Sequence, residues 1–246
     1  MKLFLPHRLL VGVAITLCNS KAFAGQSISL DLGETPQVQM NTALKMILLL
    51  TTLSVAPAIL LATTSFIRIA VVFSFLRTAL GVQNMPPQQV LLGLALFMSA
   101  AIMAPVATEL YQKGIAPYMD GRADAQQAFA QGSQPLRNFM LKQTRENDLL
   151  LFHEISHAEK PASPAHVQMH LLIPAFIVSE LRTSFEMGFV LFAPFLLVDL
   201  VIASILMAMG MVMLPPALVS LPIKIMLFVL ADGWNLLVGS LVRSFS

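Results

Sequence analysis

Cysteine and charged side chains are both scarce in this sequence. Its one cysteine, Cys18, lies in an N-terminal segment that we expect to be removed, so we expect no disulfide, no thiol catalysis and no cysteine metal ligand. Charged residues make up 11% of the chain and the net charge is only +2, which argues against the basic field typical of nucleic-acid binding. With 57% hydrophobic residues and a mean hydropathy of +0.77, the chain is too apolar for a soluble domain.

The N-terminal residues 1–24 have the features of a cleavable signal peptide. Lys2 and Arg8 supply positive charge, Leu9–Leu17 is a short apolar stretch, and Ala22–Ala24 is a small-residue cleavage site. The apolar stretch is too short to cross a bilayer, which needs about twenty residues. We therefore predict a mature chain whose N-terminus lies outside the cytoplasm, with a retained N-terminal anchor as the alternative.

Residues 25–107 are predicted to form a polar lead-in followed by a first helical hairpin region. Ala43–Ser65 and Val90–Ala107 are long and apolar enough to span a membrane, and we expect the second to end at Pro105. Between them, Phe66–Leu80 is apolar but carries two arginines, Arg68 and Arg77. Charged side chains rarely face lipid, so this helix is predicted to be interfacial or buried in a bundle.

Residues 108–170 form the long polar stretch of the sequence and are predicted to be a helical extracytoplasmic segment. Leu136, Phe139 and Met140 lie at helical spacing on one apolar side. Lys142 and Glu146 are spaced as an ion pair one helical turn apart. The predicted class is therefore an all-α integral membrane protein with about four apolar, kinked helices and this added segment.

Residues 171–246 are predicted to form a C-terminal helical hairpin with a methionine-rich turn. The two apolar stretches are Phe185–Leu206 and Ala217–Ala231, and the turn between them ends in a double proline. Methionines alternate along this turn: Met207, Met209, Met211 and Met213. Methionine is unbranched and polarizable, so such a cluster suits a deformable seal, although a flexible apolar turn without a function is the alternative.

Charged residues within the apolar C-terminal region need partners, because an unpaired charge in hydrocarbon costs several kcal/mol. Asp199 and Lys224 could pair within the hairpin, or Lys224 could meet Glu180 of a neighbouring copy. We interpret these residues as structural charge pairs. The alternative is a coupling site in an ion or solute transporter.

One short motif indicates a different chemistry. His153 to His157 matches the pattern H-E-x-x-H, which on a helix places two imidazoles on one face for zinc. A third ligand could come from Glu180, His166 or His170. Prolines soon after the motif argue against this membrane zinc peptidase, so we expect no catalytic residue, no metal and no cofactor.

Several longer blocks, in the same order along the chain, resemble the FliP family of flagellar and type III secretion export-gate proteins. The blocks are Thr64–Phe73, Pro86–Ala95, Gln134–Arg145, Pro174–Phe189, Pro194–Asp199, Met211–Pro216 and Leu221–Phe228. The predicted signal peptide and the terminal block Asp232–Leu237 favour the flagellar branch over the virulence-type branch.

The resemblance implies a function that composition cannot indicate. Members of the family form the core pore of the flagellar protein export gate in the bacterial inner membrane, at the flagellar basal body. Several copies assemble with FliQ and FliR, and FlhB, FlhA and FliO are implied as further partners. Unfolded flagellar subunits would pass through the pore. In the family the methionine turn is the channel gasket, which carries over here to Met209, Met211 and Met213, with Met207 beside them.

Overall fold

The computed structural model describes residues 36–82, 86–156, 167–211 and 213–245, with side chains from Ala43 onward. Within these ranges every regular element is a helix and none is a strand. The helices are α1 (Pro36–Ala62), α2 (Phe66–Leu80), α3 (Gln88–Leu110), a π-helical turn (Tyr111–Ile115), α4 (Ala116–Met119), α5 (Ala125–Gln143), α6 (Glu146–Ile155), α7 (Met169–Ala208), α8 (Pro216–Leu230) and α9 (Gly233–Arg243). The predicted signal peptide lies outside the described residues.

Three of these helices are long and apolar enough to cross a membrane, and the bent pair α8 and α9 makes up to four. The candidate spans are Ala43–Ala62, Gln88–Met119 and Met169–Ala208, and the bend between α8 and α9 is 64°. The predicted all-α membrane class, with about four apolar helices, is therefore confirmed.

The backbone contacts divide the chain into two compact units, with the boundary after Leu53 inside α1. Of the first unit the structure describes residues 36–53, which are helical throughout. Helix α1 ends at Ala62 rather than at the predicted Ser65, and none of its candidate span is buried. Its leucine and isoleucine side chains are exposed, and they are therefore available to lipid or to other proteins.

The second unit is built around α2, which packs most extensively against α7. Ile69, Val72, Phe73 and Leu76 recur every three or four residues on α2, so all four lie on one face and are buried. Side chains of α3, α8 and α9 complete this core cluster. Burying each such large apolar side chain contributes about 1.5–3 kcal/mol. Helix α2 is thus a bundle-buried helix, one of the two alternatives that the sequence left open.

Helix α3 does not end at Pro105, so that part of the prediction is wrong. Pro105 lies inside the helix, and the apolar stretch continues through the π-helical turn to Met119. A proline lacks the N–H of its helical turn, but long membrane helices tolerate this loss where neighbouring groups satisfy the freed carbonyl. At Gly114, within the π-helical turn, the backbone approaches Gly132 of α5 so closely that a β-carbon would lie 2.8 Å from the Gly132 Cα.

Helices α5 and α6 fall in the segment predicted to be helical. Met140 is fully buried, and Leu136 and Phe139 pack beside it against the start of α7, as the apolar pattern predicted. The predicted ion pair of Lys142 with Glu146 on one helix is wrong. Helix α5 ends at Gln143, Thr144 is extended, and Glu146 begins the next helix, so the two residues do not share a helical face.

Helix α7 is 40 residues long and begins well before the predicted Phe185. It contains two prolines, Pro174 and Pro194, and at about 1.5 Å per residue it is roughly twice as long as the hydrocarbon core of a bilayer is thick. Helix α8 returns along it, which gives the predicted C-terminal hairpin. Asp232 adopts the left-handed backbone conformation where α8 bends into α9.

Candidate functional site

The tip of the C-terminal hairpin is a defined turn between α7 and α8. Gly210 has a φ of +75°, and its N–H donates to the Met207 carbonyl at 3.0 Å. The Met211 N–H donates to the Leu206 carbonyl, also at 3.0 Å, so the last turn of α7 closes in the arrangement that a C-terminal glycine favours. Pro215 is extended and Pro216 begins α8, where a missing N–H costs nothing.

This turn displays its methionines outward. Met207, Met209 and Met213 are 63%, 66% and 96% exposed, and Met211 is half-buried. Leu214 adds a further exposed apolar side chain beside them. These flexible thioethers form an apolar surface at the end of a hairpin, which can fill an irregular gap in a neighbouring surface and rearrange when that surface changes.

The structure brings Asp199 and Lys224 together across the hairpin. The Lys224 Nζ lies 2.5 Å from Asp199 Oδ2 and donates to the Ala79 carbonyl of α2 at 3.1 Å. The Ser220 hydroxyl donates to the other carboxylate oxygen of Asp199 at 2.6 Å. Lys224 is only 4% exposed, so its charge depends on these partners. The pair ties α7, α8 and α2 to one another.

Glu180 has a different partner from the one considered in the sequence. Its carboxylate accepts two hydrogen bonds from Arg68 of α2, one of them from Nε to Oε2 at 2.9 Å. Arg68 is 2% exposed and Glu180 is fully buried. The idea that Lys224 meets Glu180 of a neighbouring copy is therefore not supported, because each of the two residues already has an oppositely charged partner in the same chain.

The other N–H groups of Arg68 bind the C-terminal end of the described chain and the end of α5. Its Nη1 donates to the backbone and side-chain oxygens of Ser244 at 2.9 and 3.0 Å, and its Nη2 donates to Gln143 at 3.0 Å. The Arg68 guanidinium also lies 3.9 Å from the ring centroid of Phe245. One buried cation thus joins α2, α5, α7 and the residues after α9.

A second polar network fastens the start of α6 to α7. The Ser179 hydroxyl donates to the buried carboxylate of Asp148 at 2.6 Å and accepts the Arg145 backbone N–H at 3.0 Å. The Arg145 guanidinium donates two hydrogen bonds to the Glu186 carboxylate, at 2.6 and 3.0 Å. The hydrogen bonds to the Glu186 carboxylate raise the pKa of Arg145 above its usual value, so Arg145 remains a cation.

The histidine motif does not form a metal centre within the part of the chain that the structure describes. His153 lies on α6 and is buried, His170 is exposed at the start of α7, and Glu180 is held by Arg68. His157 and His166 lie outside the described residues. No group of three potential metal-ligating side chains comes together among the described ones. The zinc peptidase alternative thus loses Glu180 as its third ligand.

The sequence singled out the hairpin turn and most of the buried charges, but it did not identify the partner of Arg68. Arg68 and Glu180 are 112 residues apart, and no local spacing connects them. The one available signal was that each charge stands in an apolar segment and must therefore be neutralised by something.

The sequence of this chain is similar to one family of known proteins. A model of the FliP family matches residues 49–241. The flagellar biosynthetic protein FliP of Bacillus subtilis is 48% identical over 206 residues, which cover 84% of this chain and 93% of that protein. FliP of Caulobacter vibrioides is 46% identical over 236 residues, covering 96% and 88%, and FliP of Agrobacterium fabrum is 43% identical over 244 residues, covering 97% and 99%.

The helices and their buried charge pairs define an all-α membrane-embedded protein whose apolar surface is largely exposed. The relatives named above match most of the chain, and their sequence identities are well above those of chance resemblance. The chain belongs to the FliP family, and its place is in flagellar biosynthesis.

Proposed function

We propose that this chain is a pore-forming core subunit of the flagellar type III protein export gate, passing unfolded flagellar subunits across the bacterial inner membrane. The observation that carries the proposal is the exposed methionine turn at the end of the α7–α8 hairpin, in a chain of the FliP family. In a ring of several copies, the turns would converge and close the channel as a gasket.

The chemistry of the turn suits a pore that must admit any sequence. A closed channel has to exclude ions, while an open one has to fit around a chain of changing side chains. Methionine side chains from several copies can pack into an apolar plug and then rearrange, because each has three rotatable bonds and no branch. The rigid elements behind the turn, α7 and α8, are fastened by the pair of Asp199 and Lys224.

The exposed apolar surface of this chain favours assembly with other proteins. Helices α1, α7 and α8 all carry many large exposed apolar side chains, far more than a monomeric soluble protein displays. Further copies of this chain, together with FliQ and FliR, are the partners that we propose for these surfaces, with FlhB, FlhA and FliO as further components. The flagellar basal body is the proposed location.

The alternatives are less well supported. A transporter would need Asp199 and Lys224 as a coupling site. Lys224, however, is buried and donates hydrogen bonds to both Asp199 and the Ala79 carbonyl, as expected of a structural pair. A virulence-type export gate is less favoured than a flagellar one, because the relatives described above are flagellar proteins. We propose no catalytic role and no cofactor.

The assembly is tested by native mass spectrometry of the tagged full chain, co-expressed with its neighbouring membrane proteins and extracted in mild detergent. A complex with several copies of this chain and two further small membrane proteins is expected. A lone chain or a dimer carrying zinc would overturn the proposal.

The gasket is tested by replacing Met209, Met211 and Met213 with alanine. Alanine shortens each side chain, so the closed plug should lose contact and the complex should leak ions in a planar bilayer, with unchanged subunit composition. Met119→Ala is the control, because Met119 is also an exposed methionine but lies at the end of α4, away from the turn in the sequence. Unchanged conductance in the triple variant would remove these residues from the gate.

A further inference from the structure

The chain bends sharply between α8 and α9, and the bend contains a residue in an uncommon backbone conformation. The two helices meet at 64°, although together they are long and apolar enough to form one membrane span. Between them, Asp232 has a φ of 49° and a ψ of 48°. It is the one residue other than glycine with a positive φ in the part of the chain that the structure describes. This left-handed conformation brings the β-carbon close to the following carbonyl oxygen, so it is less favourable than the helical one.

The side chains at the bend suit it without fixing it. Asp232 is exposed, does not cap α9, and accepts one hydrogen bond from the Asn235 amide at 3.1 Å. Gly233 lies directly against the ring of Phe228, where a β-carbon would be 2.3 Å from a ring atom. Glycine at position 232 would favour the left-handed conformation, whereas aspartate tolerates that conformation and is also compatible with a continuous helix.

An apolar groove lies in the angle of the bend. Its volume is about 470 Å³, and α7, α8 and α9 border it with one residue of α2. Pro194 and Phe195 of α7, Phe228 of α8, and Leu236 and Leu237 of α9 are among its lining residues. Protein interiors are normally close-packed, so a groove of this size means that α9 does not pack along its whole length against α7. Helix α9 can therefore move without displacing a packed layer of side chains.

The far end of α9 is held by the buried cation of α2. Arg68 donates to the backbone and side-chain oxygens of Ser244, and its guanidinium lies over the ring of Phe245. We call these contacts the Arg68 latch. If α8 and α9 formed one straight helix, the end of α9 would move by on the order of 15 Å and would leave Arg68. The latch therefore favours the bent arrangement.

We propose that Asp232 is the hinge of a two-state segment, in which α8 and α9 are either bent, as here, or joined into one continuous helix. Only groups that differ between two states can shift the balance between them. Two such groups act in opposite directions here: the Arg68 latch holds the bent state, and the left-handed conformation of Asp232 is relieved in the straight one. Release of the latch consequently straightens the segment. The proposal rests on the membrane-embedded fold and not on the export function.

The two states are distinguished by the distance between spin labels on α8 and α9, measured by double electron–electron resonance in lipid nanodiscs. The full chain carries Cys18→Ser, and the labels are attached through Leu218→Cys and Val242→Cys, which are exposed positions. At about 1.5 Å per residue, a straight helix separates the two positions by about 36 Å. The observed bend of 64° brings them to about 31 Å.

Substitutions at Asp232 test the hinge, and substitutions at the end of the chain test the latch. Ser244→Ala with Phe245→Ala removes two side-chain contacts of Arg68, so a component near the straight distance should appear. Ser240→Ala, at an exposed position of the same helix, is the control and should leave the bent distance unchanged. In the chain without the latch side chains, Asp232→Ala should raise the ratio of straight to bent molecules about fivefold. Asp232→Gly should lower that ratio.

Asp232→Ala with the latch intact should already show a minor straight component, which keeps the test decisive if the chain without the latch side chains fails to fold. Two results would overturn the proposal. A bent distance alone in every variant would mean that α8 and α9 have one arrangement. Equal straight fractions in Asp232→Ala and Asp232→Gly would mean that the backbone conformation at position 232 does not control the bend.

Discussion

Glu180→Gln is expected to destabilise this protein strongly, because it removes the negative charge from a buried ion pair. The carboxylate of Glu180 accepts two hydrogen bonds from Arg68, and both residues are buried. The neutral amide of glutamine offers one acceptor oxygen and places an NH₂ group against the guanidinium. The variant would therefore leave the Arg68 cation in the interior without a counter-charge.

The expected magnitude follows from what Arg68 retains. Breaking a buried ion pair by removing one partner costs about 3–5 kcal/mol. Arg68 would keep its hydrogen bonds to Ser244 and Gln143 and its position against the ring of Phe245. We therefore expect the lower end, about 3 kcal/mol in the free energy of unfolding, which is roughly a hundredfold in the folding equilibrium.

The assay is reversible unfolding of the purified full chain in mixed micelles with an increasing fraction of denaturing detergent, followed by circular dichroism. Asp120→Asn is the control, because it breaks the exposed pair with Arg122 and should cost no more than about 1 kcal/mol. The double variant Arg68→Met with Glu180→Leu removes both charges and should regain most of the stability lost in Glu180→Gln. A loss in Glu180→Gln as small as in the control would refute the reasoning.

Two further substitutions follow from the structure. Lys224→Ala leaves Asp199 without its cation, so the yield of assembled complex should fall in native mass spectrometry; a normal yield with altered conductance in a planar bilayer would contradict a structural role. Gly114→Ala would press a β-carbon against the backbone of Gly132 and should lower the free energy of unfolding by about 1–3 kcal/mol. The control Gly93→Ala has open space around it and should be neutral or slightly stabilising. Equal effects in the two variants would contradict the close approach of Gly114 to Gly132.

Much of the fold could be predicted from the sequence, because hydropathy alone indicates which segments avoid water. The apolar helices, the C-terminal hairpin with its turn, and the apolar face around Met140 all follow from local patterns of side chains. The glycine and the double proline of the turn mark the end of α7 and the start of α8 for reasons that act within a few residues. Local causes of this kind can be recognised without a structure.

The features that the sequence predicted wrongly or missed are two helix boundaries and one long-range ion pair. Pro105 was expected to end a helix, yet it lies inside α3. A proline in a helix removes one N–H donor and crowds the carbonyl four residues before it, and a long membrane helix tolerates this. The pairing of Arg68 with Glu180 depends on how α2 packs against α7, which no spacing along the sequence indicates. Lys142 and Glu146 have the spacing of a helical pair, but the extended Thr144 separates them.

The buried charges and the flexible methionines occupy different parts of this protein. The buried charges of Arg68, Glu180 and Lys224 have partners within the chain, so they hold one subunit together and add nothing to the surface. The methionines at the hairpin tip, in contrast, make a surface that the single chain leaves exposed. Among the described residues, neither partner of the Asp199–Lys224 pair lies in the turn, so the methionines of the turn can change rotamer without breaking this link between α7 and α8. In the proposed gate, the turn could therefore deform while the hairpin behind it stays intact. Substitutions in the turn should therefore change conductance, and substitutions in the charge pairs should change stability and assembly.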